Sequence, residues 1–287
     1  MKRKPAHHRP ATRYRKLDGV LDVARLVVKT ARMGILEGKN VLITGVLTDA
    51  SLAFGVAQLA QAEGANIILT GAGRGLSLTK RTARKLDTEP DVLELDVTNP
   101  DHVGEVRDAL QEKWGRVDAA LHAIGFAPEA CLGDDFMGAS WDDVKIALEI
   151  STYSYKTLAE VVTPLMTEGG SVVGLDFDAT VAWPAYNWMG VAKAALESAN
   201  RYLAKAHGPA NIRFNLIAAG PVRTIAAKSI PAFSKFEDVW DDKAPLGWDV
   251  RDSSAVARST VAMLSDWFPS TTGSMIHVDG GYHAMGA

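Results

Sequence analysis

Tyr186 and Lys193, in the stretch PAYNWMGVAK, are the residues whose types and spacing say most about chemistry. On an α-helix, seven residues make almost two turns, so both side chains share one face about 10 Å apart along the axis. A spacing of four would bring them to about 6 Å, and no tyrosine in the chain has a lysine four residues after it. The lysine can hold a cofactor ribose while the tyrosine reaches a reacting oxygen.

The longer spacing bears on which bond is reduced. It moves the tyrosine-bound oxygen away from the nicotinamide carbon that gives up hydride. A carbonyl takes hydride on the carbon that carries the oxygen, whereas a conjugated enoyl thioester takes it at the β-carbon. The spacing therefore predicts reduction of C=C rather than of C=O.

The elements that must position this pair follow a regular alternation from residue 39 onward. Apolar strands are predicted over 41–44, 65–70, 92–97, 117–123, 171–177, 212–218 and 274–278. Helices are predicted over 51–63, 76–86, 101–114, 141–166 and 186–205. Continuous apolar strands that alternate with helices indicate a parallel sheet covered on both faces. The predicted fold is α/β, a doubly wound (Rossmann-type) sheet of about seven strands.

Composition narrows the function classes. The net charge of −3 gives no reason to expect nucleic-acid binding. Cys131 is the only cysteine, which excludes an intrachain disulfide and predicts a reducing, cytoplasmic location. No apolar run approaches the length that spans a bilayer. The seven histidines show no metal-binding spacing, so the prediction is no metal site.

The N-terminal segment differs from the rest of the chain. Residues 1–32 contain ten Lys and Arg against two Asp. The sequence predicts a basic extension over 1–32, peripheral or disordered, and a single reductase domain over 33–287. A membrane-surface helix, a targeting arm and an upstream stretch read from an early start codon all stay open for the extension.

The first predicted strand leads into a possible dinucleotide site, with the pattern G-x5-S-x-A over 45–53. Gly45 allows a tight turn and a close approach to a pyrophosphate. Ser51 can cap the following helix and offer its hydroxyl to phosphate. Ligands on doubly wound sheets bind beyond the carboxyl ends of the strands, and this motif lies at such an end.

Other predicted strand ends carry suitable groups. The Asp96 carboxylate can accept a hydrogen bond from an adenine amino group, and Ile124 and Gly125 offer backbone that passes close to the adenosine and ribose. The second strand ends in GAGRG (71–75) rather than in the carboxylate that commonly selects NAD. Arg74 in this stretch leaves the choice between NADH and NADPH open.

Seven segments together resemble a known family: TGVLTDASLAF (44–54), LELDV (93–97), HAIGFAP (122–128), DFD (176–178), PAYNWMGVAKAALES (184–198), AAGPVRT (218–224) and VDGGYH (278–283). They resemble the NADH-dependent enoyl-acyl-carrier-protein reductases of the mycobacterial and actinobacterial type, a divergent branch of the short-chain dehydrogenases. The resemblance runs from about Gly34 to the C-terminus. It implies reduction of trans-2-enoyl thioesters of acyl carrier protein or CoA in type II fatty acid synthesis, and a homotetramer.

The resemblance also implies residue roles. Tyr186 would lie by the thioester carbonyl, Lys193 on the nicotinamide ribose and Phe177 beside the nicotinamide, while Met189 would contact the acyl chain. The implied cofactor residues are Gly45, Val46, Leu47, Ser51 and Ala53 at the pyrophosphate, Asp96 and Val97 at the adenine, Ile124 and Gly125 at the adenosine and ribose, Asp176 supporting the cofactor pocket, and Pro221, Val222 and Thr224 at the nicotinamide amide and phosphate.

The chain departs from the family pattern in two places. Ala72 stands where the mycobacterial type has an aromatic residue, which puts adenine stacking in question. The segment 224–248, which covers the acyl chain in this family, is shorter than in the long-chain mycobacterial enzymes. A shorter cover predicts a preference for shorter acyl groups.

Two other functions remain open on the sequence. One is a carbonyl-reducing short-chain dehydrogenase, against which the absence of any Tyr-x3-Lys argues. The other is a catalytically silent dinucleotide sensor, against which the presence of both Tyr186 and Lys193 argues.

Overall fold

Seven parallel strands form the centre of the computed structural model, which describes residues 33–231, 233, 239–240 and 242–286. The strands are β1 (Asn40–Thr44), β2 (Asn66–Gly71), β3 (Val92–Glu94), β4 (Ala119–His122), β5 (Gly170–Asp176), β6 (Ile212–Ala219) and β7 (Met275–Val278). Their spatial order is β3-β2-β1-β4-β5-β6-β7, and every neighbouring pair is parallel. The predicted Rossmann-type sheet is confirmed.

Helices connect the strands and cover both faces of the sheet. They are α1 (Leu52–Ala62), α2 (Gly73–Ala83), α3 (Pro100–Trp114), α4 (Trp141–Leu148), α5 (Ser154–Val162), α6 (Asn187–His207) and α7 (Ser254–Leu264). A π-helical turn, Glu149–Tyr153, joins α4 to α5. The sequence pattern predicted one helix over 141–166, and this turn interrupts it.

Side chains of alternate strand residues enter two separate cores, as the two-residue period of a strand requires. In β1, Val41 and Ile43 pack with α1 and α7, whereas Leu42 packs with α3, α5 and α6. All three side chains are fully buried. Burial on both faces explains why the strands read as unbroken apolar runs.

Helix α2 begins earlier than predicted, at Gly73 instead of Leu76. The stretch between β2 and the predicted start is rich in glycine, and these glycines allow close packing. A Cβ on Gly75 would lie 3.1 Å from Leu47 Cδ2, and one on Gly71 would lie 2.9 Å from Thr79 Oγ1. The absent side chains therefore let the helix start directly after β2.

Helix α7 was not predicted from the sequence. Its buried residues fall at helical spacing: Val256, Ala257, Thr260, Val261 and Leu264. This apolar stripe packs against α1, in the same core. This periodicity in the sequence was sufficient to predict the helix.

Strand β3 is shorter than the predicted 92–97 and ends at Glu94. Asp96 lies in the following turn, where its Oδ1 accepts hydrogen bonds from Thr98 N (2.9 Å) and Thr98 Oγ1 (2.7 Å). Such local bonds from an Asp side chain compete with strand pairing and end it.

The strand order reverses between β1 and β4, so the crevice for a ligand opens at their carboxyl ends. The residues from Gly34 onward form one compact unit. The predicted extension over residues 1–32 lies outside the described residues. Within those residues, no helix is both long and apolar enough to cross a membrane.

Candidate active site

The glycine turn after β1 fits tightly against β4. Gly45 has a φ of +79°, and a Cβ at this position would lie 2.1 Å from the Ala123 carbonyl oxygen. The Thr44 hydroxyl donates to Leu121 O (3.0 Å) and accepts from Ala123 N (2.8 Å). These contacts hold the carboxyl ends of β1 and β4 side by side at the crevice, and only glycine suits the position.

The hydroxyl of Ser51 does not cap α1, so that part of the sequence prediction is wrong. Its Oγ instead accepts a hydrogen bond from Thr48 N at 3.0 Å, inside the turn. The Thr48 hydroxyl, which was not predicted, is buried and has no hydrogen-bond partner among the described residues. An unpaired hydroxyl beside the N-terminus of α1 fits a phosphate ligand.

The other predicted residues of this turn contribute mainly backbone. The side chains of Val46 and Ala53 are buried in the core. The Leu47 carbonyl accepts from Thr82 Oγ1 at 2.9 Å, which ties the turn to α2. Any contact of these three residues with a pyrophosphate would therefore come from their main chain.

The predicted adenine end is formed by the turn after β3. Because the Asp96 carboxylate accepts hydrogen bonds from Thr98, its pKa lies below the ordinary value and it is ionised at neutral pH. Its Oδ1 carries both bonds from Thr98, and Val97 follows as a partly buried neighbour. The carboxylate thus fixes the turn, and contact with adenine stays a prediction.

Gly125 and Met189 lie close together beyond β4. The Met189 methyl carbon is 3.4 Å from the position that a Cβ on Gly125 would take, and the Met189 sulfur is 3.5 Å from Ser151 Oγ. The Ser151 hydroxyl also bonds to the backbone of Phe126. Ile124 is partly buried and Gly125 is exposed, so their backbone is accessible to a ligand.

The buried ammonium of Lys193 lies at the end of β5. Its Nζ donates to Leu175 O at 3.0 Å and is 3.6 Å from Asp176 Oδ1. Both Asp176 oxygens are buried without a hydrogen-bond partner in the described structure. Burial raises the pKa of Asp176 to about 7, and the charge of Lys193 offsets part of this effect. The pair forms a polar pocket with unused hydrogen-bonding capacity.

His122, at the end of β4, was not identified from the sequence as a site residue. It is fully buried, and its Nε2 is 2.7 Å from Ser154 Oγ. Because that hydroxyl donates to Ile150 O, it accepts from Nε2–H and leaves Nδ1 without a proton. Burial lowers the pKa of His122 to about 3, with a further contribution from Lys193. The imidazole is neutral at working pH.

Tyr186 immediately precedes α6 rather than lying within it. Its neighbours Ala185 and Asn187 have φ values of +57° and +48°, a conformation that costs energy for residues other than glycine. Gly133 N donates to Ala185 O (2.9 Å), and Asn187 Nδ2 donates to Asp135 O (3.1 Å). The 133–135 loop therefore holds the strained backbone that positions the phenol.

The phenol of Tyr186 is buried and contacts Phe177. The two rings meet edge to face with centroids 5.1 Å apart. Burial raises the pKa of Tyr186 well above its ordinary value, and the nearby charge of Asp176 adds to the shift. The phenol therefore keeps its proton at any working pH and is a hydrogen-bond donor.

The segment after β6 completes the crevice. Pro221 O accepts from the Trp248 indole at 2.7 Å. Thr224 N donates to Val222 O, and its hydroxyl accepts from Ala227 N. These residues lie beyond the carboxyl end of β6, on the same edge of the sheet as β4 and β5. Among the described residues, no group of acidic, histidine or cysteine side chains is placed to hold a metal ion.

Comparisons with known proteins identify the family. Residues 45–283 match the family described as enoyl-(acyl carrier protein) reductase. The chain is 45% identical over 262 residues to the NADH enoyl-acyl-carrier-protein reductase of Mycolicibacterium smegmatis, covering 86% of this chain and 97% of that protein.

Two further relatives carry the same name. That of Mycobacterium avium is 41% identical over 261 residues, covering 86% of this chain and 97% of that protein. That of Aquifex aeolicus is 38% identical over 256 residues, covering 88% of this chain and 94% of that protein. The chain belongs to the enoyl-acyl-carrier-protein reductase family.

Proposed function

We propose that this protein reduces trans-2-enoyl thioesters with NADH, as the enoyl-acyl-carrier-protein reductase of type II fatty acid synthesis. The observation that supports this most directly is the pairing of a protonated Tyr186, packed on Phe177, with the ammonium of Lys193 at one edge of the sheet. The nicotinamide, when bound, supplies the hydride. The residues of this chain bind and orient the cofactor and the substrate, and they stabilise the charge that develops during the reaction.

Tyr186 acts on the substrate oxygen. When hydride reaches the β-carbon, negative charge develops on the thioester oxygen as an enolate. The raised pKa of Tyr186 keeps the phenol protonated, so that it stabilises this charge as a hydrogen-bond donor. A proton taken up at the α-carbon, from solvent or through Tyr186, then completes the reduction. A single preorganised donor of this kind contributes about 3 kcal/mol to lowering the barrier.

Lys193 acts on the cofactor. One of its three N–H donors is used by Leu175 O, and the remaining donors are available to ribose hydroxyls. Its positive charge also favours negative charge that develops nearby. Phe177, Asp176, Met189 and the turn residues are proposed to line the cofactor and the substrate as predicted from the family resemblance.

The test is spectrophotometric. When purified protein is mixed with NADH and crotonyl-CoA or a longer 2-enoyl-CoA, the absorbance of reduced nicotinamide is expected to fall. NADPH serves as the comparison cofactor. Turnover of ketones without turnover of any enoyl thioester would instead support a carbonyl reductase. Tight NADH binding without turnover of either would support a dinucleotide sensor.

The assembly and location of the enzyme are part of the proposal. A homotetramer is supported by the family resemblance and by exposed aromatic residues such as Tyr202 (71% exposed) and Trp267 (69%). Light scattering at low micromolar concentration tests it, and a monomer mass would reject it. The single Cys131, free and buried, is consistent with a cytoplasmic enzyme.

A further inference from the structure

A cluster of aromatic rings packs against Phe177. Phe177 contacts Trp183 and Trp240, with centroids 5.2 and 5.9 Å apart. Trp183 contacts Trp240 at 5.2 Å and Tyr282 at 5.7 Å. Trp240 and Tyr282 stack at 3.9 Å with an interplanar angle of 12°. We call these four residues the aromatic wall.

The aromatic wall is fastened to the sheet edge by its polar atoms. The Trp183 indole donates to Asp178 O at 2.5 Å, two residues after β5. The Trp240 indole donates to Asp279 O at 3.2 Å, just after β7. Trp240 is buried and Trp183 is partly buried, and the N–H group of each indole is paired. Trp183 is therefore held in contact with Phe177, the ring that Tyr186 also touches.

The position of the wall matters for an acyl chain. A thioester whose oxygen meets Tyr186 must send its alkyl group into apolar surroundings, and the apolar cluster that contains Phe177 includes the other rings of the wall. Carbon atoms in contact are about 3.5–4.0 Å apart. Rings with centroids 3.9–5.9 Å apart leave no slot between them for a row of methylene groups.

We propose that the aromatic wall ends the acyl site of this enzyme and that Trp183 is the residue that restricts it to short-chain enoyl thioesters. This inference rests on the proposed function and specifies its substrate class. It also gives a structural cause for short-chain preference that depends on ring packing rather than on the length of the 224–248 cover, to which Trp240 belongs.

A cavity beside Tyr186 offers the acyl chain a second route, and a variant that blocks this cavity provides a control. The cavity, of about 630 Å³, flanks Tyr186 between the 133–136 loop, the segment 179–186 and α6, and Trp183 also lines it. Ala194 lies on that lining. Phe177 is not among the described residues that line this cavity, whereas it belongs to the wall, so we favour the wall.

The experiment compares kcat/KM for crotonyl-, trans-2-octenoyl- and trans-2-dodecenoyl-CoA with saturating NADH. For the native enzyme we expect at least about a tenfold fall from crotonyl- to dodecenoyl-CoA, because the pocket excludes the added methylenes. Trp183→Ala should reduce that ratio to about threefold or less by opening the wall. Trp183→Phe, which removes less volume, should give an intermediate ratio.

Controls separate the possible failures. Trp141→Ala, at a side chain 69% exposed on α4, should leave the ratio unchanged. The NADH dissociation constant of the Trp183 variants should stay within about twofold of the native value, which shows that they fold. Ala194→Trp should not alter the ratio.

Three results would overturn the inference while leaving enoyl reduction intact. One is equal turnover of all three thioesters by the native enzyme. Another is an unchanged ratio in folded Trp183→Ala, and the third is a loss of dodecenoyl turnover confined to Ala194→Trp. Absence of turnover with every thioester would instead refute the proposed function itself, and the inference with it.

Discussion

The ammonium of Lys193 is almost entirely buried, so neighbouring acceptors rather than water must balance its charge. Leu175 O and the Asp176 carboxyl are within reach. Tyr186, by contrast, keeps a neutral phenol against Phe177. The two residues therefore have separable tasks, one on the cofactor and one on the substrate.

Substitution should separate these tasks. Lys193→Ala is expected to weaken NADH binding by about tenfold or more, since hydrogen bonds to a charged donor are lost. Tyr186→Phe is expected to lower kcat by about 100-fold with little change in NADH affinity, because the donor to the enolate is lost. Steady-state kinetics and NADH fluorescence titration measure both effects.

The same two variants also test whether Tyr186 and Lys193 form the active site. Lys80→Ala, at an exposed lysine on α2, serves as the control and should match the native enzyme. Native kinetics in both Lys193→Ala and Tyr186→Phe would mean that the reaction takes place elsewhere on the molecule.

Asp176 predicts a pH effect on stability. Its pKa is about 7 in the folded protein against an ordinary value of 3.8, so between these values the native state binds more protons than the unfolded state. The contribution of Asp176 to the free energy of unfolding is therefore fully present below about pH 4 and is lost as pH rises to about 7. Relative to Asp176→Asn, the native protein should lose on the order of 1 kcal/mol per pH unit across that window.

Urea denaturation of both proteins at pH 5, 6, 7 and 8 measures this difference. The free energy of unfolding of Asp176→Asn, minus that of the native protein, should rise up to about pH 7 and then level off. A difference that stays constant, or that falls as pH rises, would show that Asp176 is ionised throughout.

At the scale of elements, the β1–α1 turn and β4 depend on each other. Gly45→Ala would put a Cβ 2.1 Å from Ala123 O at a φ of +79°. We expect about 3 kcal/mol of destabilisation and a Tm lower by about 5–10 °C, together with weaker NADH binding. Thermal unfolding with and without NADH is the measurement.

Gly104, inside α3, is the matched control. A Cβ added there would meet no packing neighbour within 4 Å, and the backbone is that of an ordinary helix. Gly104→Ala should stabilise the protein by about 0.5–1 kcal/mol. If Gly45→Ala behaves like Gly104→Ala, the turn is not packed as described.

The elements were predictable to different degrees. The strands were predicted correctly because burial on both faces of the sheet leaves continuous apolar runs in the sequence, as in β5 and β6. Helix α7 was overlooked although its stripe was present, and α2 started early because glycine there serves packing rather than a loop. The site residues near Tyr186 came from motifs, whereas Thr48 and His122 became visible only through their burial and unpaired atoms.

At the scale of the whole molecule, the sheet edge must admit an acidic carrier protein under the proposed function. The exposed Arg223 and Lys228 follow β6 on that edge, and Lys235 lies outside the described residues. Opposite charges steer such encounters and fix their orientation. This surface is the proposed docking region for acyl carrier protein.

Charge reversal tests the docking region. Lys228→Glu and Arg223→Glu should lower kcat/KM for an enoyl-carrier-protein substrate by about threefold to tenfold at low salt, and less in high salt. The same substrate on CoA should be affected less, since it lacks the protein surface. Lys80→Glu on α2 is the control. Equal losses with both substrates would reject the docking region.

Residue order alone was enough to establish the alternation of strands and helices, the glycine turn after β1, and the Tyr186 and Lys193 pair with the family that it indicates. These features are local, because they depend on periodicity and on residues close together in the chain. The folded arrangement was needed to establish that Tyr186 precedes its helix on strained backbone, that Asp176 is buried beside Lys193, and that Trp183 meets Trp240 and Tyr282. Those facts depend on which distant segments meet at the carboxyl edge of the sheet, where burial sets pKa values and ring contacts set the shape of the pocket.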